Sequence, residues 1–439
     1  MSAVIRVSLM VVTFGLLFGF STASIAGVLD RVIAALSLRT QQAEILVATL
    51  VVGCFVGAAA AGVLSARLGR RKSLAISVAL AAPGFAVMVL TQGYFSLLLA
   101  RFLVGLAVGL SSMVVPMYAA EVTPSRYRGA VVSLFQLAVT AGIMLAYGIA
   151  FVFMDAPWPL ILGSGILIVL GCGGALLLLP ESPRWLLSRG QGAAARHAAE
   201  NLGVADELTA AEGTAETARF DWRVVRKGST GAVLVLCAAL FVLQNLSGID
   251  GILYYAPTIF TELGFSAGTA ALAATFGLGI ANFGATLVAL RYVDRAGRRP
   301  LLIGGSVAMA VGLGTTVVAA LLDLPWLGLG ALVVYIVAFA VSLGPLPYVL
   351  MSELFPTAIR EQGIATASAT SWLFNGLVAV TFLSLVNSAG LVGAMGLFAA
   401  VCVVSVLVSI FLVPETRGVP LEAIEDKVLR GERLRHLGL

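Results

Sequence analysis

Residues 67–71 read Arg-Leu-Gly-Arg-Arg and lie between two apolar runs, at 45–66 and 73–93. The same pattern returns 228 residues later as Arg-Ala-Gly-Arg-Arg at 295–299, again between two apolar runs. A connection with three arginines is too polar to lie within an apolar element, so it separates the elements on either side. The recurrence suggests an internal duplication, and a duplication predicts further matches at the same spacing.

Two further landmarks recur at nearly that spacing. The arrangement Glu-x-x-Pro-x-x-x-Arg occurs at 121–128 and again at 353–360, and Pro-Glu occurs at 180–181 and again at 414–415. Chance could explain one match between common loop residues, but it does not explain three matches in order. The sequence therefore predicts two halves with the same topology.

The composition indicates that lipid surrounds most of the chain. Of the 439 residues, 60% are hydrophobic and only 11% are charged, and the mean hydropathy is +1.03. A soluble domain needs more charge to cover its surface. Apolar runs long enough to cross a membrane are predicted as spans 1–12. They lie at 7–29, 45–66, 73–93, 95–119, 129–153, 158–179, 231–260, 267–290, 301–322, 326–351, 363–386 and 391–413.

We therefore predict an all-α membrane protein with twelve transmembrane helices in two six-helix, pseudo-symmetric halves. The predicted parts are an N-terminal bundle at 1–179, a linker at 180–230, a C-terminal bundle at 231–413 and a tail at 414–439. The linker carries Arg196, Glu200, Asp206, Glu207, Glu212 and Glu216 among alanines. This pattern favours short amphipathic helices at the membrane surface.

The basic residues predict the orientation. With the N-terminus in the cytoplasm, all of the 27 Lys and Arg residues except Arg31, Arg39 and Arg101 lie in cytoplasmic segments. This bias predicts a multi-pass protein with both termini, the linker and the tail in the cytoplasm. It also explains the pI of 9.2 without nucleic acid as a partner, since no segment combines a basic face with aromatic platforms. Short external loops without a glycosylation acceptor are compatible with a bacterial inner membrane.

Several signatures in register resemble the sugar porter family of the major facilitator superfamily, over nearly the whole chain. The matching residues are Gly15–Phe20, Arg101, Gly105, Gly109, Pro116, Tyr118, Glu121, Arg128, Gly129, Pro180–Trp185, Gln244–Asp250, Tyr254, Tyr255, Gly344–Tyr348, Glu353–Pro356, Arg360 and Pro414–Gly418. The resemblance implies the major facilitator fold and transport of a sugar or polyol by alternating access. The sequence has no paired catalytic carboxylates, no nucleophile with a base, no phosphate loop and no metal cluster, so we expect no enzymatic activity, no cofactor and no metal.

Amides and aromatic residues within the spans are candidates for sugar binding. Sugar hydroxyls both donate and accept hydrogen bonds, so amides suit them, and aromatic rings suit the apolar faces of the sugar. The resemblance implies that Gln136, Gln244, Asn245, Asn282 and Asn375 face a central cavity, with Phe18, Tyr348 and Trp372 as its aromatic surface. It also matches Tyr254 and Tyr255 to an outer gate. The alternative for such an amide is a hydrogen bond between helices.

Charged residues at the cytoplasmic ends of the helices are candidates for a latch. The first half carries Arg70, Glu121, Arg128, Glu181 and Arg184, and the second half carries Arg298, Glu353, Arg360, Glu415 and Arg417. The resemblance implies that these residues hold the inner gate closed while the transporter faces outward. The alternative is interfacial charge that only sets the topology. Ala66 replaces a polar residue that is usual in the family, which predicts a weaker latch in the first half.

Asp250 is the most individual feature of the sequence. Proton-coupled sugar porters typically carry an aspartate in span 1, where this chain has Ser21, although the partner arginine is present as Arg101. Asp250, 229 residues after Ser21, replaces a usual asparagine and is the only carboxylate well inside a predicted span. Carboxylates at such depth are costly and are by default functional. Three interpretations stay open: proton coupling, hydrogen bonding to sugar hydroxyls or pairing with Arg101, and binding of a cationic group.

The predicted function is secondary transport of a monosaccharide or polyol across the cytoplasmic membrane, with Asp250 as a candidate for proton coupling. One alternative is a sugar uniporter. Another is a major facilitator for a different solute, but a drug site would be mostly apolar. A nutrient sensor would need a longer cytoplasmic domain than residues 414–439 supply. The expected partners are the sugar, protons and the lipid bilayer.

Overall fold

The computed structural model describes residues 2–91, 93–205, 208, 225, 228–356 and 359–438, without the side chains of 292–295, 361 and 421–422. The chain divides into two compact units, Met1–Glu216 and Thr217–Leu439. The linker residues Asp206, Glu207, Glu212 and Glu216 lie outside the described part of the chain. Two short helices precede them, at the start of the predicted linker.

Helices make up nearly all of the first unit. They are α1 (Ala3–Ala23), α2 (Leu29–Leu36), α3 (Thr40–Leu68), α4 (Arg70–Leu90), α5 (Tyr94–Val122), α6 (Ser125–Val152), α7 (Trp158–Gly163), α8 (Ile166–Leu177), α9 (Pro183–Ser188) and α10 (Gly192–Leu202). Helix α3 begins five residues before the predicted span 2, because Thr40, Gln41 and Gln42 supply its first turn. The Gln42 side chain accepts a hydrogen bond from the backbone N–H of Arg39 at 2.9 Å, which satisfies a donor at the helix start.

The described part of the second unit is also built from helices. It contains α11 (Thr230–Leu246), α12 (Ile249–Tyr254), α13 (Ala256–Glu262), α14 (Thr269–Ala296), α15 (Arg298–Leu321), α16 (Pro325–Val341), α17 (Leu346–Leu354), α18 (Arg360–Phe411) and α19 (Leu421–Arg430). The basic connections of the two halves correspond in conformation as well as in sequence. Gly69 (φ 97°, ψ 168°) separates α3 from α4, and Gly297 (φ 90°, ψ 151°) separates α14 from α15.

Eleven helical segments of the described chain are long and apolar enough to cross a membrane. The last, Gln362–Phe411, has 50 residues, about twice what a bilayer requires. It contains Gly390, whose φ of 69° and ψ of 171° are not helical, so α18 consists of two spans, 360–389 and 391–411. The twelve-span fold predicted from the sequence is therefore confirmed, and span 11 is separated from span 12 by one residue.

Small residues allow α3 and α5 to pack closely. A Cβ atom added to Gly105 would overlap the carbonyl oxygen of Leu50, and one added to Gly109 would overlap that of Cys54. Glycine at helix interfaces is typical of membrane proteins, in which close backbone contact stabilises association without a hydrophobic driving force. This packing places Arg101, two turns N-terminal to Gly109, directly against the first turns of α3.

Candidate functional site

A break in span 7 positions Asp250. Helix α11 ends at Leu246, and Gly248 adopts φ 93° before α12 begins at Ile249. A side chain at Gly248 would be strained at this φ and would also overlap the Phe398 ring. Polar side chains bind the backbone at the break: Ser247 donates to the Gln244 carbonyl at 2.6 Å, and Tyr335 donates to the Ser247 carbonyl at 3.1 Å.

Asp250 is 9% exposed, and its Oδ2 atom is fully buried without a hydrogen-bond partner. The Asn375 side chain lies near the carboxyl group. The Tyr335 hydroxyl on α16 binds Ser247 at the same break. A buried carboxylate with one oxygen left without a partner is unusual in a native protein and calls for a functional explanation. That oxygen can hold a proton or accept a hydrogen bond from a ligand.

Asn375 binds the first residue of the predicted outer gate. The Tyr254 hydroxyl donates to Asn375 Oδ1 at 3.0 Å. Tyr255 has different contacts, since its hydroxyl donates to the Ala379 carbonyl at 2.8 Å and its ring stacks on Phe382 at a centroid distance of 4.9 Å. The two adjacent tyrosines therefore bind the same helix, α18, through different partners.

Gln244 and Asn245 both use their amide N–H groups within the protein. Gln244 Nε2 donates to the carbonyls of Leu343 (2.7 Å) and Gly344 (2.9 Å), in the break between α16 and α17. Asn245 Nδ2 donates to the Phe241 carbonyl (2.7 Å) and to Ser371 Oγ (3.1 Å). Both amides therefore form hydrogen bonds to other parts of the fold, which was the alternative to sugar binding. The amide oxygens are the part of these side chains that is left for a ligand.

The other candidates of the second half lie on three helices. Tyr348 is 48% exposed and meets the Phe241 ring edge-on at 4.8 Å. Trp372 is half-buried on α18. Asn282 is buried on α14, and no hydrogen bond between described residues joins its side chain to Asp250 or Asn375. The exposed face of Tyr348 is the clearest aromatic surface of this half.

Two candidates of the first half lie on neighbouring helices. Gln136 is exposed on α6. Phe18 is half-buried on α1, and its ring is tilted by 54° against the Phe135 ring at 6.3 Å. Phe135 directly precedes Gln136, so the predicted aromatic residue and the predicted amide lie close together on the α1–α6 surface.

Arg101 is almost fully buried and binds α3. Its Nε donates to the Leu46 carbonyl at 2.8 Å, and its Nη2 donates to the Val47 carbonyl at 3.2 Å. Ser21 donates to the Leu17 carbonyl at 2.6 Å, within its own helix. These contacts explain how both side chains are accommodated in the first half.

Glu44 is a second buried carboxylate on a membrane helix. It is 2% exposed, near the start of α3 and in the part of that helix that Arg101 binds. It directly precedes the apolar run that begins at Ile45, so it lies outside the predicted span 2 and was not a candidate by depth. The signal that could have found it is the Thr40-Gln41-Gln42 sequence, which is suited to a helix start before the apolar run.

A cluster of charges joins three helix ends of the first half. Arg70 pairs with Glu121 at 2.8 Å, and Ser182 donates to the other carboxylate oxygen of Glu121. The Glu181 carboxylate accepts hydrogen bonds from the backbone N–H groups of Arg70 (2.8 Å) and Arg71 (3.0 Å), at the start of α4. An anion at a helix N-terminus is stabilised by the free N–H groups and the helix dipole.

The second half repeats this arrangement with its own residues. Arg298 pairs with Glu353 at 3.0 Å, and Thr416 donates to Glu353 as Ser182 does to Glu121. Glu415 accepts from the backbone N–H groups of Arg298 (3.0 Å) and Arg299 (3.1 Å). Both clusters thus connect helices within one half, which the prediction of a latch did not anticipate. A role in closing the inner gate stays a prediction.

The other predicted latch residues lie around these clusters. Arg360 Nε donates to the Phe355 carbonyl at 3.2 Å, and the Arg417 backbone N–H donates to Glu415 at 3.0 Å. Arg128 is half-buried and Arg184 is exposed.

Comparisons with known proteins agree with this fold. The family described as "Sugar (and other) transporter" matches residues 7–427. The galactose-proton symporter of Escherichia coli K12 is 34% identical over 441 residues, which cover 97% of this chain and 94% of that protein. The arabinose-proton symporter of the same strain is 32% identical over 465 residues and covers 99% and 95%.

A solved structure is similar over the same extent. The xylose transporter of Escherichia coli in its inward-open conformation has a TM-score of 0.83 and 28% identity, and the match covers 95% of this chain and 98% of that one. Because these matches cover nearly all of both chains, the similarity is not limited to a shared fragment. Together with the twelve spans, it shows that this chain is a multi-pass membrane transporter and a member of the sugar (and other) transporter family of the major facilitator superfamily.

Proposed function

We propose that this protein is a sugar–proton symporter, which moves a monosaccharide together with a proton through alternating access. The observation that carries the proposal is the buried Asp250 carboxyl group, whose Oδ2 has no hydrogen-bond partner. Asp250 follows the amides Gln244 and Asn245 in the chain and precedes the phenol of Tyr254, and these are groups that suit a sugar. The names of two similar proteins, a galactose-proton and an arabinose-proton symporter, support the same class of substrate and the same coupling ion.

Sugar recognition would use the amide oxygens of Gln244 and Asn245, since their N–H groups already bind the protein. Asn282, Gln136 and the exposed face of Tyr348 would add donors and an apolar surface. Oxygen acceptors favour a ligand that brings its own O–H donors, which a sugar does. An apolar solute would leave these oxygens unpaired, at about 1–3 kcal/mol for each buried group.

Proton coupling would use Asp250 in place of the acid that Ser21 replaces. A carboxyl group surrounded by neutral groups is disfavoured in its ionised form, so it binds a proton readily when its surroundings close. The proton neutralises the carboxylate, and the sugar supplies hydrogen-bond partners to the other polar groups of the site. A site loaded with both would therefore be cheaper to enclose within the bilayer during the change from outward-facing to inward-facing.

The orientation of the protein is part of the proposal. The distribution of Lys and Arg supports cytoplasmic termini in a bacterial inner membrane. The charge clusters around Glu121 and Glu353 would then face the cytoplasm, where they are placed to bias opening on that side.

A sugar uniporter is the second candidate, and one observation favours it. Span 1 carries Ser21 instead of an acid, and the Ser21 hydroxyl is bound to the Leu17 carbonyl, so that helix supplies no proton-binding group at this position. Under this reading, Asp250 would only accept hydrogen bonds from sugar hydroxyls.

Uptake into proteoliposomes distinguishes the two candidates. Labelled galactose, arabinose and xylose are offered with and without an imposed inward proton gradient. A symporter accumulates its sugar above the external concentration only with the gradient. A uniporter equilibrates the sugar in both conditions, and that result would overturn the proposed coupling while leaving sugar transport intact.

A further inference from the structure

The break in span 7 and the break in span 10 are each held by a side chain of the other span. In span 7, between α11 and α12, the Ser247 carbonyl accepts a hydrogen bond from the Tyr335 hydroxyl of span 10 at 3.1 Å. In span 10, between α16 and α17, the carbonyls of Leu343 (2.7 Å) and Gly344 (2.9 Å) accept from Gln244 Nε2 of span 7. The two breaks therefore exchange hydrogen bonds in both directions.

The sequence explains why the break in span 10 needs a donor from another span. In an uninterrupted α-helix the Leu343 carbonyl would accept from the backbone N–H four residues later, but that residue is Pro347, which has none. The N–H of Leu346, three residues later, is bound to the Ser342 carbonyl at 3.0 Å. Gln244 supplies the missing donor. Without it, a carbonyl group within a membrane span would lose its partner, which is costly.

Ser247 closes these contacts into a ring. Its hydroxyl oxygen lies 2.6 Å from the Gln244 carbonyl and 3.2 Å from the Tyr335 hydroxyl. A serine hydroxyl has one hydrogen, which is donated to Gln244, so the Tyr335 hydroxyl is the donor to both oxygens of Ser247. The ring runs from Tyr335 through Ser247 and Gln244 to Leu343, and it returns to Tyr335 along span 10.

The ring is buried and borders the candidate site. Ser247 and Tyr335 are 0% exposed, and Gln244 is 7% exposed. Asp250 lies three residues after Ser247, in the helix that follows the break in span 7. Tyr348, the exposed aromatic residue of the site, lies in the helix that follows the break in span 10. Both site residues thus belong to segments whose direction the ring sets.

Bending at one break alone would disrupt the ring. A change in the direction of span 7 at its break moves the turn that carries Gln244 and Ser247 relative to span 10. The carbonyls of Ser247 and Leu343 would then lose their donors. A buried carbonyl without a donor carries its full desolvation penalty, which exceeds the net contribution of the hydrogen bond that it lost. The change with the lowest cost therefore keeps the ring intact and alters both breaks.

We propose that Tyr335 is a positioning residue for transport, which together with Ser247 and Gln244 makes the breaks of spans 7 and 10 change conformation as one unit. Tyr335 was not a candidate from the sequence, because it lies within an apolar run and its partner is 88 residues away. The inference goes beyond the proposed function, since it applies equally to a symporter and to a uniporter.

Amide hydrogen exchange of the purified, full-length protein in lipid nanodiscs tests this unit without any sugar. Two segments are followed: 247–252, at the break in span 7, and 342–350, at the break in span 10. The variants are Tyr335→Phe and Ser247→Ala, each of which removes one hydroxyl group of the ring. The control is Tyr255→Phe, which removes an equally buried phenol hydroxyl that binds a carbonyl of α18 at 2.8 Å, outside the ring.

We expect Ser247→Ala to raise the exchange rate in both segments, roughly two- to tenfold, as the loss of one buried hydrogen bond implies. The increase at 342–350 is decisive, because the Ser247 side chain binds Gln244 and Tyr335, which both lie outside that segment. Tyr335→Phe should also raise the rate in both segments. Tyr255→Phe should leave both at the wild-type rate.

Faster exchange at 247–252 alone in Ser247→Ala would show that the two breaks are held independently, and it would overturn the inference. Wild-type rates in both segments of Ser247→Ala and Tyr335→Phe would overturn it as well. Equal loosening by the Tyr255→Phe control would mean that any lost hydroxyl has this effect, which leaves no special role for the ring.

Transport kinetics separate positioning from a purely structural role. Because Tyr335 is fully buried, it does not contact the sugar, so Tyr335→Phe should keep the KM for exchange of galactose, arabinose or xylose within about twofold of wild type. Its maximum rate should fall roughly two- to tenfold, because the two breaks no longer change together. An unchanged maximum rate would overturn the positioning role. A wild-type protein that transports none of these sugars contradicts the proposed function, and hydrogen exchange still decides on the ring.

Discussion

The carboxylate of Glu415 accepts a hydrogen bond from the backbone N–H of Arg298 at 3.0 Å, at the start of α15. Its counterpart in the first half, Glu181, accepts one from the backbone N–H of Arg70 at 2.8 Å. Glu181 follows span 6 and binds the start of the helix that forms span 3. Glu415 follows span 12 and binds the start of the helix that forms span 9. The duplicated Pro-Glu landmark of the sequence is thus a duplicated helix cap.

This relationship predicts that Glu415→Gln destabilises the second half. The neutral amide loses the charge that favours the helix N-terminus, and one of its two acceptor atoms becomes a donor. We expect a loss of about 1–2 kcal/mol in the free energy of unfolding. Thermal unfolding of the purified protein in detergent measures it as a lower midpoint.

The control for Glu415→Gln is Asp426→Asn on the tail helix. Asp426 is 70% exposed, and its nearest basic partner, Arg430, is 3.9 Å away. Exposed pairs of this kind contribute little, so the control should unfold within a degree or two of wild type. Equal midpoints for all three proteins would show that the Glu415 cap does not stabilise the helix.

The amides allow a prediction about sugar binding that separates two roles. Gln136 is exposed, and no hydrogen bond within the described part of the first half engages its side chain, whereas Gln244 binds the carbonyls of Leu343 and Gly344. Gln136→Ala should weaken sugar binding by about 1–3 kcal/mol and leave the unfolding midpoint unchanged. Gln244→Ala should weaken binding and lower the midpoint as well.

Equilibrium binding of labelled sugar to the purified variants, with thermal unfolding alongside, checks this prediction. If Gln136→Ala binds sugar with the wild-type dissociation constant, Gln136 is not part of the site. If Gln244→Ala lowers the midpoint only, Gln244 serves to close the break between α16 and α17.

Periodicity and composition were enough to predict the spans, because lipid requires long apolar runs and the basic connections interrupt them. Breaks within the spans could not be located in this way. Span 7 breaks at Gly248, and span 10 breaks after Val341. Such breaks are tolerated because side chains such as Gln244 bind the carbonyl groups that the break leaves without a helical partner. Those partners are about 100 residues away in sequence, so no local pattern records them.

The candidate site was predictable in its residue types but not in its contacts. Asp250 stands out in the sequence as a carboxylate in an apolar run. That its Oδ2 has no hydrogen-bond partner, while Tyr254 on the same helix binds Asn375, depends on the packing of α12 against α18. Glu44 was missed for a different reason: the start of a membrane helix can extend into polar residues, and hydropathy alone does not record where the first turn begins.

Glu44 provides a prediction that tests whether one carboxylate or two are involved in coupling. If Asp250 carries the proton alone, Glu44→Gln should keep gradient-driven accumulation, because it removes a charge near Arg101 and leaves the second half unchanged. Sugar accumulation in proteoliposomes with an imposed proton gradient is the measurement. Loss of accumulation by Glu44→Gln, with exchange intact, would place the coupled proton in the first half instead.

The substitution Asp250→Asn restores the residue that is usual in the resembled family and keeps the shape of the side chain. It removes the carboxyl group that binds the proton, while its amide oxygen can still accept a hydrogen bond from a ligand. Exchange of labelled for unlabelled sugar needs no net proton movement, so the variant should exchange at a rate near wild type. It should lose accumulation against a gradient and sugar-driven alkalinisation of the external medium. Wild-type protein that shows neither activity, together with an asparagine variant that transports as well as wild type, would contradict the coupling and leave a uniporter.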